Sequence, residues 1–200
     1  MFSPHHLIGL TILFMIIAFI SGSIPFGLIY GLIRGSDIRK LGSGNIGATN
    51  AGRMFGFWQG FIPVFVLDFL KGAVPLLIFK ILIHQNNDIC NLLVGFSAIL
   101  GHVFSPWLKF KGGKGVATSA GVLFTLAPIP SLTILAVFIS SFFLFGKTVG
   151  KASVTAAIAM PFVMYLTPGV SMPLRLASIL LAALIIYAHK KNIKEWFSTP

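Results

Sequence analysis

The sequence predicts an all-α membrane protein, a polytopic bundle of seven transmembrane helices with its N-terminus outside and its C-terminus in the cytoplasm. Hydrophobic residues make up 56% of the chain and charged residues only 10%, whereas a soluble domain carries about a quarter charged residues. The mean hydropathy is +0.94. Long apolar runs alternate with short segments that hold most of the cations, which is typical of a chain that crosses a bilayer repeatedly.

The first apolar run, 7–33, is long enough to cross the hydrocarbon core, which takes roughly 20 helical residues. It lacks a cationic start and continues past small residues at 21–23, so we expect an uncleaved helix and not a secretory signal. Ser23 and Pro25 interrupt this run. Since proline removes a helical donor, we expect a kink there that exposes backbone groups, although both residues are also common in ordinary membrane helices.

The second and third runs, 55–83 and 92–108, contain ionisable groups at membrane depth. Asp68 and Lys71 lie three residues apart and therefore on one helical face. Such groups are often functional, but a structural pair that locks two helices explains them equally well. The role of His102 is open in the same way. It is either a structural residue with its hydrogen bonds satisfied, or a base or a hydrogen-bond donor to phosphate.

Shorter apolar runs complete the bundle. They span 116–127, 132–145, 152–166 and 173–188. Pro128 and Pro130 separate the first two of these runs, because proline cannot continue the preceding helix. Five crossings result instead of seven if 116–145 or 152–188 is one bent element.

The cations orient the bundle. With the N-terminus outside, twelve of the fifteen Lys and Arg residues fall in cytoplasmic segments. They are Arg34, Arg39, Lys40, Arg53, Lys109, Lys111, Lys114, Lys147, Lys151, Lys190, Lys191 and Lys194. The outside segments offer a polar run at 84–88 and two nearly neutral turns. This positive-inside bias explains the net charge of +11 without nucleic acid as a partner. Nothing marks a linker, so we predict a single domain over 1–200.

A cytoplasmic segment at 39–50, the arginine loop, combines cations, glycines and short hydrogen-bonding side chains. The glycines are Gly42, Gly44 and Gly47, and the short polar residues are Ser43, Asn45, Thr49 and Asn50. Glycines let backbone N–H groups approach an anion, and Arg39 can grip a phosphate with two parallel hydrogen bonds. The segment therefore predicts a phosphate site. The alternative is a flexible polar linker.

A second segment at 110–118, the lysine loop, places glycines around Lys114 just before a predicted helix. Its members are Lys111, Gly112, Gly113, Lys114, Gly115 and Thr118. Helix N-termini bind phosphate readily because they present unpaired N–H groups and partial positive charge. The segment does not match the Walker A pattern. An ordinary positive-inside loop is the alternative, but it does not require glycines.

Several kinds of chemistry are poorly supported by the composition. Four acids and one cysteine, Cys90, are too few for a two-metal site or a cysteine-built metal site, so we expect no metal and no cofactor. No nucleophile motif occurs. His189 and Asn192, beside Lys190 and Lys191, share a predicted helical face at the end of the last run, where they form a functional cluster or an interfacial anchor.

At these positions the chain resembles the bacterial acyl-phosphate–glycerol-3-phosphate acyltransferase family, nearly from end to end. The resemblance is carried by Gly22-Ser23-Ile24-Pro25, Asp37-Ile38-Arg39, Gly42 to Asn50, Asp68-x-x-Lys71-Gly72, Gly101-His102-x-Phe104, Phe110 to Thr118, and His189-x-x-Asn192-Ile193. One departure is Ser105, which precedes Pro106 where the family usually has proline directly after the aromatic residue.

The resemblance implies transfer of a fatty acyl group from acyl phosphate to the 1-hydroxyl of glycerol 3-phosphate, at a bacterial inner membrane. It implies membrane lipids and an upstream enzyme supplying acyl phosphate as further partners. Lys114 and Arg39 become the expected catalytic residues, with His102 a weaker candidate. Beyond the two loops, the expected substrate-binding residues are Ser23, Lys71, Ser153, His189 and Asn192. A transporter of organic phosphates or lipids is the alternative function, although transporters place their polar groups near the midplane.

Overall fold

The computed structural model describes residues 3–83 and 87–198, and these residues form helices and connecting loops. The α-helices are α1 (Pro4–Ser23), α2 (Phe26–Ile33), α3 (Ala48–Phe55), α4 (Ile62–Ile83), α5 (Asp88–Val103), α6 (Val116–Leu126), α7 (Pro128–Leu144), α8 (Val149–Leu166), α9 (Met172–Ala188) and α10 (Lys190–Ser198). Turns of 3-10 helix lie at Ile38–Lys40 and Pro106–Leu108, and a π-helical turn at Phe57–Phe61 precedes α4. The predicted all-α class is confirmed. Residues 84–86 of the predicted outside polar run lie outside the described residues.

Each predicted apolar run overlaps at least one helix, and the first run overlaps both α1 and α2, but not every helix is long enough to cross a bilayer by itself. Within the described ranges, four helical stretches meet that criterion, and a fifth does if Met172–Ala188 and the helix after it form one bent span. The helices at Val116–Leu126 and Pro128–Leu144 are shorter. The count of seven crossings and the orientation of the two ends therefore stay predictions.

The chain divides into two compact units, Met1–Thr125 and Leu126–Pro200. In the first unit α1 packs against α4 and α5. Gly22 and Gly101 make the α1–α5 approach possible, because a Cβ on Gly22 would lie 2.0 Å from the Ala98 carbonyl oxygen and one on Gly101 would lie 2.2 Å from that of Phe19. Small residues at such crossings are how membrane helices achieve close packing.

The predicted kink in the first run is confirmed as a break between α1 and α2. Because Pro25 has no N–H, the regular ladder stops there, and the Ile24 N–H bonds to the Ser21 carbonyl at 3.2 Å. The Ile24 carbonyl then accepts from the Phe26 N–H at 3.0 Å. This break lies beside the polar residues of the site.

Helix α3 was not predicted from the sequence, because its eight residues are too polar and too few to give an apolar helical pattern. It begins after Gly47 and ends at Phe55, and the next residue, Gly56, has a φ of +84° in the region that favours glycine. The adjoining π-helical turn is held to α2 by Arg34, whose Nη2 donates to Gln59 Oε1 at 2.7 Å, and by the Tyr30 hydroxyl, which donates to the Gln59 carbonyl.

In the second unit α8 packs against both α7 and α9, and α10 follows α9 at a bend of 61°. This bend corrects the prediction that His189 and Asn192 share one helical face. His189 ends α9, where its N–H and Nδ1 both lie within hydrogen-bond distance of the Ile185 carbonyl, and Asn192 belongs to α10. The prediction of a single domain over 1–200 stays a prediction.

Candidate active site

The broken end of α1 is joined to the segment that precedes the lysine loop. The Ser23 hydroxyl donates to the Ile20 carbonyl at 2.7 Å and accepts from Trp107 Nε1 at 2.9 Å, while the Ser105 hydroxyl donates to the Ser23 carbonyl at 2.7 Å. Ser23 is buried, and its hydroxyl has a partner on each side. The Ser23 hydroxyl thus links two elements, and its predicted role in substrate binding stays a prediction.

Ser105 and Trp107 were not predicted as parts of the site. Ser105, the departure from the family's proline, is fully buried and supplies a hydroxyl donor that proline lacks. The available signal was Pro25 itself, since a broken helix leaves carbonyls that need donors from elsewhere in the chain.

Arg39 in the arginine loop is paired with Asp37. Its Nε lies 2.9 Å from Asp37 Oδ1 and its Nη2 lies 2.7 Å from Oδ2. The hydrogen bonds from Arg39 hold the pKa of Asp37 down at about 2, and those bonds raise the pKa of Arg39. Because the shift lowers the pKa of an acid, the pair is present above the ordinary pKa of aspartate and is lost as the pH falls toward 2. The guanidinium group is thus held in place, while the side chain remains 50% exposed.

Asn50 shapes the arginine loop from inside. Its Nδ2 donates to the carbonyls of Ile38 and Leu41 at 2.8 and 3.1 Å, and its Oδ1 accepts from the Ser43 N–H at 3.0 Å. Both amide hydrogens are used in the loop and the residue is buried. Asn50 therefore organises the loop, and its predicted role as a direct phosphate ligand stays a prediction.

The remaining residues of the arginine loop lie nearer the surface. Asn45 accepts the Gly47 N–H at 2.9 Å. Six residues of this loop were predicted to bind phosphate and are not buried: Gly42, Ser43, Gly44, Asn45, Gly47 and Thr49. They remain predicted ligands.

The lysine loop folds back on the end of α5. The N–H groups of Gly112 and Gly113 donate to the carbonyls of Val103 and His102 at 3.0 and 3.1 Å. A Cβ on Gly112 would lie 2.0 Å from the His102 carbonyl oxygen, and one on Gly113 would lie 2.1 Å from His102 Nε2. The two glycines therefore serve close packing, and their N–H groups already have acceptors within the protein.

Anion donors in the lysine loop must accordingly come from its lysines and from the first turn of α6. The leading N–H groups of a helix have no acceptor within it. Gly115, with a φ of +77°, turns the chain into this helix. Lys111 is exposed and Lys114 is half-buried.

A buried cluster of Asp68, Lys71, His102 and Thr118 lies behind the lysine loop, on α4, α5 and α6. Lys71 Nζ lies 2.8 Å from Asp68 Oδ1 and donates to the Ile24 carbonyl at 2.8 Å. His102 Nδ1 lies 3.2 Å from Thr118 Oγ1 and 3.8 Å from Asp68 Oδ1. The structure thus brings together residues whose roles the sequence left open. Thr118 and Lys71 are both buried and bonded within the protein, and their predicted roles in phosphate binding stay predictions.

Two of the predicted residues of the second unit, Ser153 and His189, have hydrogen bonds to their own helices. The buried Ser153 hydroxyl donates to the Val149 carbonyl at 2.9 Å, as Ser often does within helices. His189 is buried at the end of α9. Substrate binding by Ser153, His189 and Asn192 stays a prediction.

A metal ion has no evident ligand set in the part of the chain that the structure describes. No group of three or more His, Cys, Asp or Glu side chains there is close enough to hold one.

Comparison with known proteins gives matches over nearly the whole chain. Residues 12–199 match the family described as "Glycerol-3-phosphate acyltransferase". A glycerol-3-phosphate acyltransferase of Geotalea daltonii is 42% identical over 184 residues, which is 92% of each chain. One of Fusobacterium nucleatum is 41% identical over 186 residues, covering 92% of this chain and 93% of that protein.

Solved structures agree with the sequence matches. The crystal structure of PlsY (YgiH), an integral membrane glycerol 3-phosphate acyltransferase, in its glycerol 3-phosphate form aligns with a TM-score of 0.86 and 36% identity, over 94% of this chain and 92% of that one. Its lysophosphatidic acid form aligns with a TM-score of 0.85.

Proposed function

Because the chain belongs to the glycerol-3-phosphate acyltransferase family, we propose that it transfers a fatty acyl group from acyl phosphate to the 1-hydroxyl of its acceptor. The protein is a multi-pass inner-membrane enzyme of phospholipid biosynthesis that acylates glycerol 3-phosphate to lysophosphatidic acid. The match to an acyltransferase family over residues 12–199 decides against the alternative of a transporter. The identity of the donor and the roles of the residues are the proposal.

One observation supports the proposal most strongly: the arginine and lysine loops are built on a shared apolar cluster. Ile38 precedes the arginine loop and Ile46 belongs to it. Both pack with Leu108, just before the lysine loop, and with Leu28 of α2. The two segments that we propose to bind phosphate are therefore anchored on one apolar cluster of the first unit. The reaction needs two such segments, since donor and acceptor each carry a phosphate.

In the proposed arrangement, Lys111, Lys114 and the first turn of α6 bind one phosphate. Arg39, with Ser43 and Asn45, binds the other. Holding both substrates converts a bimolecular step into an effectively unimolecular one. Fixed cations also stabilise the charge that develops on the leaving phosphate.

The acceptor hydroxyl attacks the carbonyl carbon of acyl phosphate. An ester C–O bond forms as the bond from that carbon to the phosphate oxygen breaks, and phosphate leaves with the electron pair. The hydroxyl proton passes to a substrate phosphate oxygen, because His102 is buried behind Gly113 and does not face an open site. No acyl-enzyme forms, since the donor is already an activated anhydride.

The membrane supplies the rest of the setting. In the proposed orientation both loops face the cytoplasm, where glycerol 3-phosphate is dissolved, because their cations follow the positive-inside bias. The acyl chain lies between helices in the adjoining leaflet. An upstream enzyme delivers acyl phosphate to that leaflet.

The test uses the purified full-length protein in detergent or liposomes with acyl phosphate and glycerol 3-phosphate. We expect equal amounts of lysophosphatidic acid and inorganic phosphate, and none when glycerol replaces glycerol 3-phosphate. Acyl-CoA and acyl-carrier protein are compared as donors in parallel. Turnover with either of these and not with acyl phosphate would overturn the proposed donor, while leaving the acceptor unchanged.

A further inference from the structure

The buried cluster is not explained by the reaction itself. Asp68, Lys71, His102 and Thr118 are 2%, 4%, 3% and 0% exposed. Burying an ionisable group is costly unless it is paired, and ionisable groups at membrane depth are often functional. None of the four is positioned to touch a dissolved substrate, so their role must be exerted through other residues.

His102 contacts the lysine loop at two separate points. Its carbonyl accepts the Gly113 N–H at 3.1 Å, and its ring lies so close to Gly113 that an added Cβ would be 2.1 Å from Nε2. The other ring nitrogen, Nδ1, shares a hydrogen bond of 3.2 Å with Thr118 Oγ1. His102 thus contacts the chain on both sides of Lys114, through its carbonyl at Gly113 and through its ring at Thr118.

The same cluster is bound to the break in the first helix. Lys71 bridges Asp68 and the Ile24 carbonyl, with both distances at 2.8 Å. The Ser21 hydroxyl also donates to the Lys71 carbonyl at 3.2 Å. Asp68 in turn lies 3.8 Å from His102 Nδ1, so the helix break and the lysine loop share one set of buried charges.

We propose that His102 and Thr118 are positioning residues, whose buried hydrogen bond fixes the lysine loop so that Lys114 meets the substrate phosphate. This inference rests on the proposed function of the lysine loop. It assigns His102 a role different from that of a general base, because Nδ1 is bonded to Thr118 and Nε2 faces the Gly113 backbone.

Paired substitutions at each residue separate the hydrogen bond from side-chain volume. Thr118→Val keeps the shape and removes the hydroxyl, whereas Thr118→Ser keeps the hydroxyl. At position 102, asparagine places its amide near the position of Nδ1, and glutamine places its amide near that of Nε2. We expect Thr118→Val and His102→Gln to lower kcat/KM by about tenfold to a hundredfold, since small displacements of a binding group have effects of that size. Thr118→Ser and His102→Asn should stay closer to wild type.

Coupling between the two residues distinguishes a shared bond from two independent losses. The double variant Thr118→Val/His102→Gln should be no slower than the slower single variant, because both changes remove the same interaction. If His102 is instead a base, Asn and Gln will be equally inactive and Thr118→Val will be near normal. Either that pattern or additive losses would overturn the proposal.

A second measurement does not depend on acyl transfer. Trace acetylation followed by mass spectrometry reports the reactivity of Lys114, with the exposed Lys147 of the second unit as internal control. Loss of the bond in Thr118→Val should change the ratio of Lys114 to Lys147 modification by about fivefold, and Thr118→Ser should not. An unchanged ratio in Thr118→Val would count against positioning. If wild type gives no product from acyl phosphate, the proposed donor fails while this comparison still decides the inference.

Folding is checked by the thermal unfolding midpoint of each variant. If Thr118→Val does not fold, the comparison of His102→Asn with His102→Gln decides the matter from the other partner. Equal loss in those two variants would then overturn the proposal.

Discussion

Replacing Gly113 with alanine tests the geometry of the lysine loop most directly. The added Cβ would lie 2.1 Å from Nε2, 2.9 Å from Cε1 and 3.1 Å from Cδ2 of His102. The ring cannot swing away freely, because its Nδ1 is bonded to Thr118 and the residue is buried. Real Cβ atoms essentially never lie closer than 3.0 Å to such an atom. The ring or the loop would therefore have to move by about 0.9 Å to accept the methyl group.

The size of that shift sets the expected effect. Overpacking of this kind costs about 1–3 kcal/mol, which lowers the unfolding midpoint of a chain of this length by about 2–12 °C. The protein should therefore still fold, since total stabilities are about 5–15 kcal/mol. A misplacement of about 1 Å near a reacting group can lower activity about a hundredfold, so we expect kcat/KM to fall far more than stability does.

The assay measures product formation at varied glycerol 3-phosphate, together with the unfolding midpoint in the same detergent. Gly9→Ala is the matched control, because nothing lies within 4 Å of a Cβ at that position in α1. We expect the control to resemble wild type. Gly113→Ala with wild-type kcat/KM and an unchanged midpoint would show that the loop accepts the methyl group, and the argument from close packing would be refuted.

Four further predictions concern charge, chemistry and topology. Asp68→Asn or Lys71→Met alone should lower the unfolding midpoint by about 6–20 °C, because each leaves a buried charge without its partner. The double variant should lower the midpoint less. An equal or greater fall in the double variant would refute the pairing argument. Lys114→Ala should lower turnover about a hundredfold or more, as loss of one preorganised electrostatic donor does, and near-normal turnover of the folded variant would contradict the phosphate-binding role. Activity should survive EDTA without formation of an acyl-enzyme, and either restoration by magnesium after chelation or trapping of labelled acyl on the protein would require a different route. In a Cys90-free background, a cysteine placed at the exposed position Lys40 should react with a membrane-impermeant thiol reagent only from the cytoplasmic side, and labelling from outside would reverse the proposed orientation.

The sequence alone determined the membrane class, the helical runs, the break at Pro25 and the two loops that carry cations and glycines. These features are local, because hydropathy, proline and glycine act on the residues immediately around them. It did not reveal α3, whose eight residues begin after Gly47 and end just before a glycine with positive φ. A helix this short is marginal by itself and depends on its tertiary contacts.

Only the tertiary structure showed which polar residues are buried with hydrogen-bond partners in place and which lie nearer the surface. The Ser23 hydroxyl accepts a hydrogen bond from Trp107 Nε1, which lies 84 residues away in the sequence. Thr118 shares a hydrogen bond with His102, 16 residues away. From the sequence both residues are suitable phosphate donors, because a hydroxyl has the same chemistry in either role. The physical difference is burial with a partner already in place, and partners distant in sequence are brought together only when the helices pack.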